Sequence, residues 1–154
     1  ADAIESNRHA MEVLEGGVSH PEILWAYSSR QCVSHPDYVA REFITEIKVS
    51  NTAHPEWFMR LARRKGYPVQ LAMYAVAVEE SGMAKPFSRY IVVASYKRPF
   101  VVTVLRMTGM GQTYDRLVYL FNQLAYCEKT DQWPGYSDKI VDFSADGLVA
   151  EQIG

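Results

Sequence analysis

Two cysteines, Cys32 and Cys127, are all that 154 residues contain. A pair that far apart provides neither a disulfide framework nor the spacing of a zinc site, so a reducing cytoplasm is the expected setting. Long apolar runs are missing as well. The longest, Tyr90 to Tyr96 and Leu71 to Val78, fall well short of the roughly 20 residues needed to cross a bilayer. No membrane partner is expected. There is no secretory leader pattern, and a chain that opens at Ala1 without Met is expected to be processed, excised or incomplete. Low-complexity tracts and internal repeats are absent. So is any excess of positive charge: 16 Lys and Arg stand against 18 Asp and Glu, a net of −2. That balance argues against a protein holding nucleic acid through bulk charge.

What the chain does have is enough apolar material, 48% of its residues, for a sizeable core, and its length predicts one globular domain over 1–154. The most informative stretch is Cys32 to Ser50, CVSHPDYVAREFITEIKVS. Tyr38-Val39 and Phe43-Ile44-Thr45 suit strands, and Ala40 to Glu42 suit a tight connection. A turn centred between Arg41 and Glu42 pairs residues whose numbers sum to 83, which sets Asp37 opposite Glu46. Opposed β-carbons lie roughly 4.5 to 5.5 Å apart, and like charges there are destabilising unless a cation intervenes. Alternation along a strand puts Glu46 and Lys48 on one face and Ile47 on the other.

Two hard carboxylates without histidine or thiolate neighbours suit Mg²⁺ or Mn²⁺ rather than zinc. With a lysine beside them, the implied chemistry is phosphodiester hydrolysis: the metal polarises the phosphoryl oxygen and activates water, and Lys48 balances developing charge. By itself the pattern is more often that of an ordinary surface hairpin with scattered charges. Between Pro55 and Gly66, Arg60, Arg63, Arg64 and Lys65 face Glu56 alone, a local net of +3. This is either a phosphate-binding patch or a solvated helix face.

In chain order, residues 3–15 predict a helix stopped by Gly16-Gly17, with His9 in its middle as a packing or surface residue. Glu22 to Tyr27 predicts a strand leading through Ser28-Ser29-Arg30 into the Cys32 stretch, so that with Tyr38 to Ser50 a three-stranded meander is expected. Glu22, at the start of that strand, is either a third carboxylate near Asp37 or a solvated strand end. Pro55 opens a helix ending at Gly66, and a second helix runs from Tyr67 to about Ser81-Gly82. Gln70 and Tyr74 share a face of it. SRYIVVASY and FVVTVLRM form a second strand pair. Leu117, Leu120, Phe121, Leu124 and Cys127 follow helical spacing to about Thr130, and Ile140 to Phe143 reads as a short extended piece. The fold class is α+β, a mixed sheet flanked by helices.

These residues together resemble the RecE-like (exonuclease VIII) branch of the PD-(D/E)xK nuclease superfamily over nearly the whole chain. The resemblance is carried by Glu22-Ile-Leu-Trp25, Pro36-Asp37, Glu46-Ile-Lys48-Val-Ser50, Pro55-Glu56, Gly66-Tyr67-Pro-Val-Gln70-Leu-Ala-Met-Tyr74, and Cys127 through Trp133-Pro134. It implies a restriction-endonuclease-like core in which Asp37 and Glu46 are metal ligands, with the Ile47 carbonyl a further one, and Lys48 is the catalytic lysine. It implies that Gln70 and Tyr74 support the site and DNA, that Glu22 is a third acidic residue, and that His9 is the family's helix histidine. Arg60, Arg63, Arg64 and Lys65 would then contact DNA phosphates. The implied activity is Mg²⁺-dependent degradation of linear double-stranded DNA from 5′ ends, in ring-shaped homo-oligomers of phage or prophage recombination, alongside a recombinase or annealing protein. Three features depart from the pattern: Glu46 stands where aspartate is usual, His35 replaces the basic residue before Pro-Asp, and the Asp37 to Glu46 link is short. An endonuclease or single-strand nuclease of the same fold, a nuclease-like binding module, and a small metal-binding domain unrelated to DNA are the rival readings.

Overall fold

A computed structural model describes residues 2–85 and 88–135. The N-terminal segment forms two short helices, α1 (Asp2–Glu5) and α2 (Arg8–Glu12), instead of the single helix expected over 3–15. Asn7 makes the break. Its side chain accepts the Ala10 N–H at 3.0 Å, and such local side-chain bonds start a new helix rather than continue an old one.

A two-residue strand, β1 (Val18–Ser19), follows. The expected meander is then redistributed over two sheets. β2 (Ile23–Tyr27) and β3 (Arg30–Ser34) pair antiparallel from Ile23↔Ser34 to Tyr27↔Arg30 and stand as a separate two-stranded sheet. β4 (Tyr38–Val39) pairs with β1 on one side and β5 (Phe43–Ser50) on the other. Two things keep β3 off β4. Pro36, which has no N–H to give a ladder, is buried between them, and β1 already occupies that edge of β4. The Gly17 N–H donates to the Tyr38 hydroxyl at 2.6 Å. A β-carbon at Gly17 would stand 2.3 Å from the Val39 carbonyl oxygen, so this approach requires glycine.

The β4–β5 register is Tyr38↔Thr45 and Val39↔Ile44, the pairing that a sum of 83 predicts. After β5 the chain crosses over through α3 (Pro55–Arg64) and α4 (Tyr67–Glu80), turning at Gly66, whose φ of +74° is a left-handed conformation suited to glycine. It returns as β6 (Ser88–Ser95), parallel to β5 with Glu46↔Ile91 and Lys48↔Val93. β7 (Val102–Arg106) closes the sheet antiparallel to β6, giving the mixed order β1-β4-β5-β6-β7.

Helix α4 is apolar nearly all round, burying Leu71, Ala72, Tyr74, Ala75, Ala77 and Val78. Such a helix needs neighbours on several sides, and it has them: the β2–β3 hairpin, β5 and α3. A separate cluster, Ala10, Val13 and Val92 with Phe43, Ile47 and Val104 against it, packs α2 onto the sheet. The chain divides into two compact units, Ala1–Tyr119 and Leu120–Gly154. α5 (Gly111–Thr130) carries the division, and its Leu117 and Cys127 are buried. The expected extended piece at 140–143 lies outside the described residues. Among those residues no helix is long and apolar enough to cross a membrane.

Candidate active site

Strand β5 presents different chemistry on its two faces. Thr45 and Ile47 point toward α2: the Thr45 hydroxyl donates to the Val13 carbonyl at 2.7 Å, and Ile47 packs on the Ala10–Val13–Val92 cluster. Alternation therefore turns Glu46 and Lys48 to the opposite face.

There Asp37, one residue before β4, faces Glu46 as the register dictates. Each carboxylate is held by a backbone amide of the opposing segment. The Ile47 N–H donates to Asp37 Oδ2 at 2.7 Å, and the Asp37 N–H donates to Glu46 Oε1 at 3.0 Å. Lys48 Nζ donates to the second oxygen, Glu46 Oε2, at 2.6 Å. Glu46 is 2% exposed, and burial raises its carboxyl above the ordinary value of 4.5 despite the opposing pull of Lys48 and of the Asp37 N–H. One ammonium and two backbone amides thus ease the charge clash within the chain. Two carboxylates against one ammonium still leave room for a cation, as the opposed carboxylates lead one to expect.

The chemistry of the donor set does fit one. Asp37 and Glu46 offer oxygen only, fixed in orientation by the backbone, and Mg²⁺ is commonly held by one or two carboxylates with water completing its shell. Among the described residues no three His, Cys, Asp or Glu are grouped closely enough to hold a metal, so such a site would rest on this pair with backbone and water.

Helix α4 supplies the remaining wall. The Gln70 amide donates to the Tyr74 hydroxyl at 2.9 Å. Burial raises the Tyr74 hydroxyl's pKa, and the charges of Glu46, Lys48 and Asp37 all act on it, which puts the pair beside the carboxylates. Lys48 Nζ also lies 4.9 Å from the centre of the Tyr67 ring, a cation–π contact that fixes the ammonium between Glu46 and α4. Tyr67 was not singled out from sequence. Its position next to Gly66, on the first turn of a helix whose later turn carries Gln70 and Tyr74, is the signal that would have found it.

The other predicted residues lie elsewhere. Glu22 is exposed, just before β2; the nearest link to the site is the His20 N–H, which donates to the Asp37 carbonyl at 2.8 Å. His9 is exposed on α2, paired with Glu12 at 3.1 Å. Its helix packs on the Ile47 face of the sheet, opposite Glu46 and Lys48. The His9 and Arg8 contacts lower the Glu12 pKa. Arg60, Arg63 and Arg64 line the exposed side of α3, away from buried Phe58 and Ala62, and Lys65 is exposed at its C-terminal end.

Residues 1–144 match a family described as a PDDEXK-like domain of unknown function (DUF3799). Among solved structures, one from Eubacterium rectale, described as a "Putative exonuclease", superposes with a TM-score of 0.68 at 14% sequence identity. The match covers 92% of this chain and 59% of that one, and at such identity it speaks for the fold. No curated protein sequence matches the chain.

Proposed function

The chain belongs to the PDDEXK-like family DUF3799, and from that premise we propose that it is a single-domain, Mg²⁺-dependent deoxyribonuclease, with Mn²⁺ able to substitute, that hydrolyses linear double-stranded DNA from its ends, 5′ ends first. The observation that carries this reading is the Asp37–Glu46–Lys48 arrangement, with both carboxylates clamped by reciprocal backbone bonds beside Gln70–Tyr74. A binding domain has no use for paired carboxylates where phosphate must approach.

Asp37 and Glu46, with the Ile47 carbonyl, would hold the divalent cation. When bound, that ion supplies Lewis-acid polarisation of the phosphoryl group and lowers the pKa of water. Lys48, its Nζ bonded to Glu46 Oε2, would orient the attacking water and offset charge that grows on the phosphoryl oxygens. Gln70 and Tyr74 orient the scissile region, while Arg60, Arg63, Arg64 and Lys65 hold backbone phosphates. Glu22 and His9 belong to this proposal only if binding DNA or metal brings them in. The RecE-like resemblance extends it to a homo-oligomer in phage-type recombination, working with a recombinase or annealing protein.

End-labelled linear duplex and a closed circular duplex, each with Mg²⁺, with EDTA, and with Lys48→Ala, test the reading. Release of labelled mononucleotides from the linear DNA alone, abolished by EDTA and by Lys48→Ala, is expected. Cutting of the circle would convert the assignment to an endonuclease. Duplex binding without any cutting would leave a nuclease-like binding module.

A further inference from the structure

Two exposed surfaces lie past the C-terminal end of β5. One is the outer face of α3, which begins there at Pro55 and runs to Arg64. Trp57, Arg60 and Arg64 recur at i, i+3 and i+7 and so share one helix face, opposite buried Phe58 and Ala62. Trp57 is 62% exposed, with its ring 5.2 Å from that of His54. The other is the turn between β6 and β7, Tyr96-Lys97-Arg98-Pro99-Phe100, whose members are all exposed.

The two are tied together. The Tyr96 N–H donates to the Ser50 carbonyl at 3.0 Å, and the Thr103 hydroxyl donates to the Ala53 carbonyl at 2.7 Å. His54 and Pro55 then line, with Lys97 and Arg98, a recess of about 460 Å³.

Phe100 is informative. It is 47% exposed and sits at φ +56°, a conformation disfavoured for a bulky side chain. Neither burial nor turn geometry accounts for an aromatic there. The Arg98 guanidinium lies 5.7 Å from the ring centre, so the turn offers a cation and an aromatic face as one unit. Arg60, Arg64, Lys97 and Arg98 are opposed on these segments by Glu56 alone.

We infer that this surface binds single-stranded DNA, with the four cations on successive phosphates and the Trp57 and Phe100 rings stacked on unpaired bases. The inference rests on the proposed reading of the chain as a DNA nuclease. Interleaved aromatics and cations are what a strand with exposed base faces requires, and a duplex hides those faces. An exonuclease that removes one strand of a duplex leaves the other unpaired, and the turn that carries Phe100 is bonded to β5 at Ser50, two residues beyond Lys48.

The test is fluorescence anisotropy of a labelled oligo-dT 20-mer and of a blunt duplex of the same length, in EDTA so that cutting plays no part. Trp57→Ala and Phe100→Ala should each weaken oligo-dT binding roughly five-fold or more and leave duplex binding within two-fold. Arg64→Ala and Lys97→Ala should weaken both. Trp57→Phe should keep the oligo-dT affinity while removing the tryptophan quenching that accompanies binding. Equal losses on both DNAs, or none on oligo-dT, in aromatic variants that melt at the wild-type temperature would overturn the inference. A wild-type chain that binds oligo-dT this way and cuts nothing in Mg²⁺ would defeat the nuclease reading and leave the single-strand surface standing.

Discussion

The two faces of β5 do different jobs with adjacent residues. On one, Thr45 and Ile47 meet α2 through a hydrogen bond and aliphatic packing. On the other, buried Glu46 and half-buried Lys48 form an ion pair whose carboxylate is held at a raised pKa. Desolvation can outweigh even a paired and hydrogen-bonded charge, and the raised Glu46 pKa has that sign, so the charged side of the strand adds little to stability while the other side is anchored. Stability and activity should therefore separate by face.

The largest expected effect tests the charged face. Glu46→Gln keeps the shape and an acceptor for the Asp37 N–H but removes a negative donor, and cutting of linear duplex should fall by roughly a hundredfold or more with no loss of melting temperature. A melting temperature that collapsed with activity would show that the pair holds the fold together. On the anchoring side, Val92→Ala opens a hole in the α2 cluster and should reduce unfolding free energy by about 2 kcal/mol, measured by urea denaturation, with cutting per folded molecule retained. Thr45→Val, which strands the Val13 carbonyl, should cost about 1 kcal/mol by the same measurement. If either variant were as inactive as Glu46→Gln, the division by face would be lost.

The smallest effect is a trend with pH. Because the folded-state pKa of Glu46 lies above its ordinary 4.5, folding takes up a proton there. The resulting stability is fully present below the unfolded value and is lost as pH rises through the raised one. In EDTA, the stability of the wild type relative to Glu46→Gln should therefore fall as pH climbs out of the carboxylate range. A flat difference in paired thermal melts would show that Glu46 is not penalised by burial.

How far the sequence foretold this differs by region. The β4–β5 register was legible because a hairpin's pairing follows from its turn and from alternation over a few residues, and that alone brought Asp37 to Glu46. The α3–α4 break at Gly66 and the Gln70–Tyr74 pairing were equally local. The separation of β2–β3 from β4–β5 was not, since nothing near Pro36 says that an exposed two-residue strand at Val18–Ser19 will take the edge of β4. The helix break at Asn7 went unread because a capping side chain competes with helix propensity on nearly equal terms. The internal neutralisation of Glu46 also escaped, because alternation says that Lys48 shares its face but not that the ammonium turns back onto it.

The parallel pairing of β5 with β6 through α3 and α4 sets an order of assembly. Glu46 finds Asp37 nine residues away but Ile91 only forty-five residues on, and long closures form slowly. The two carboxylates can thus meet in water, in a local hairpin, before the crossover brings α4 and β6 down over them. Pulse-labelled exchange during refolding should accordingly protect the Ile47 amide, bonded to Asp37, ahead of the amides of β6. On that order the charged site would be built in solvent first and buried afterwards, each ion losing its water only once its partner is in place.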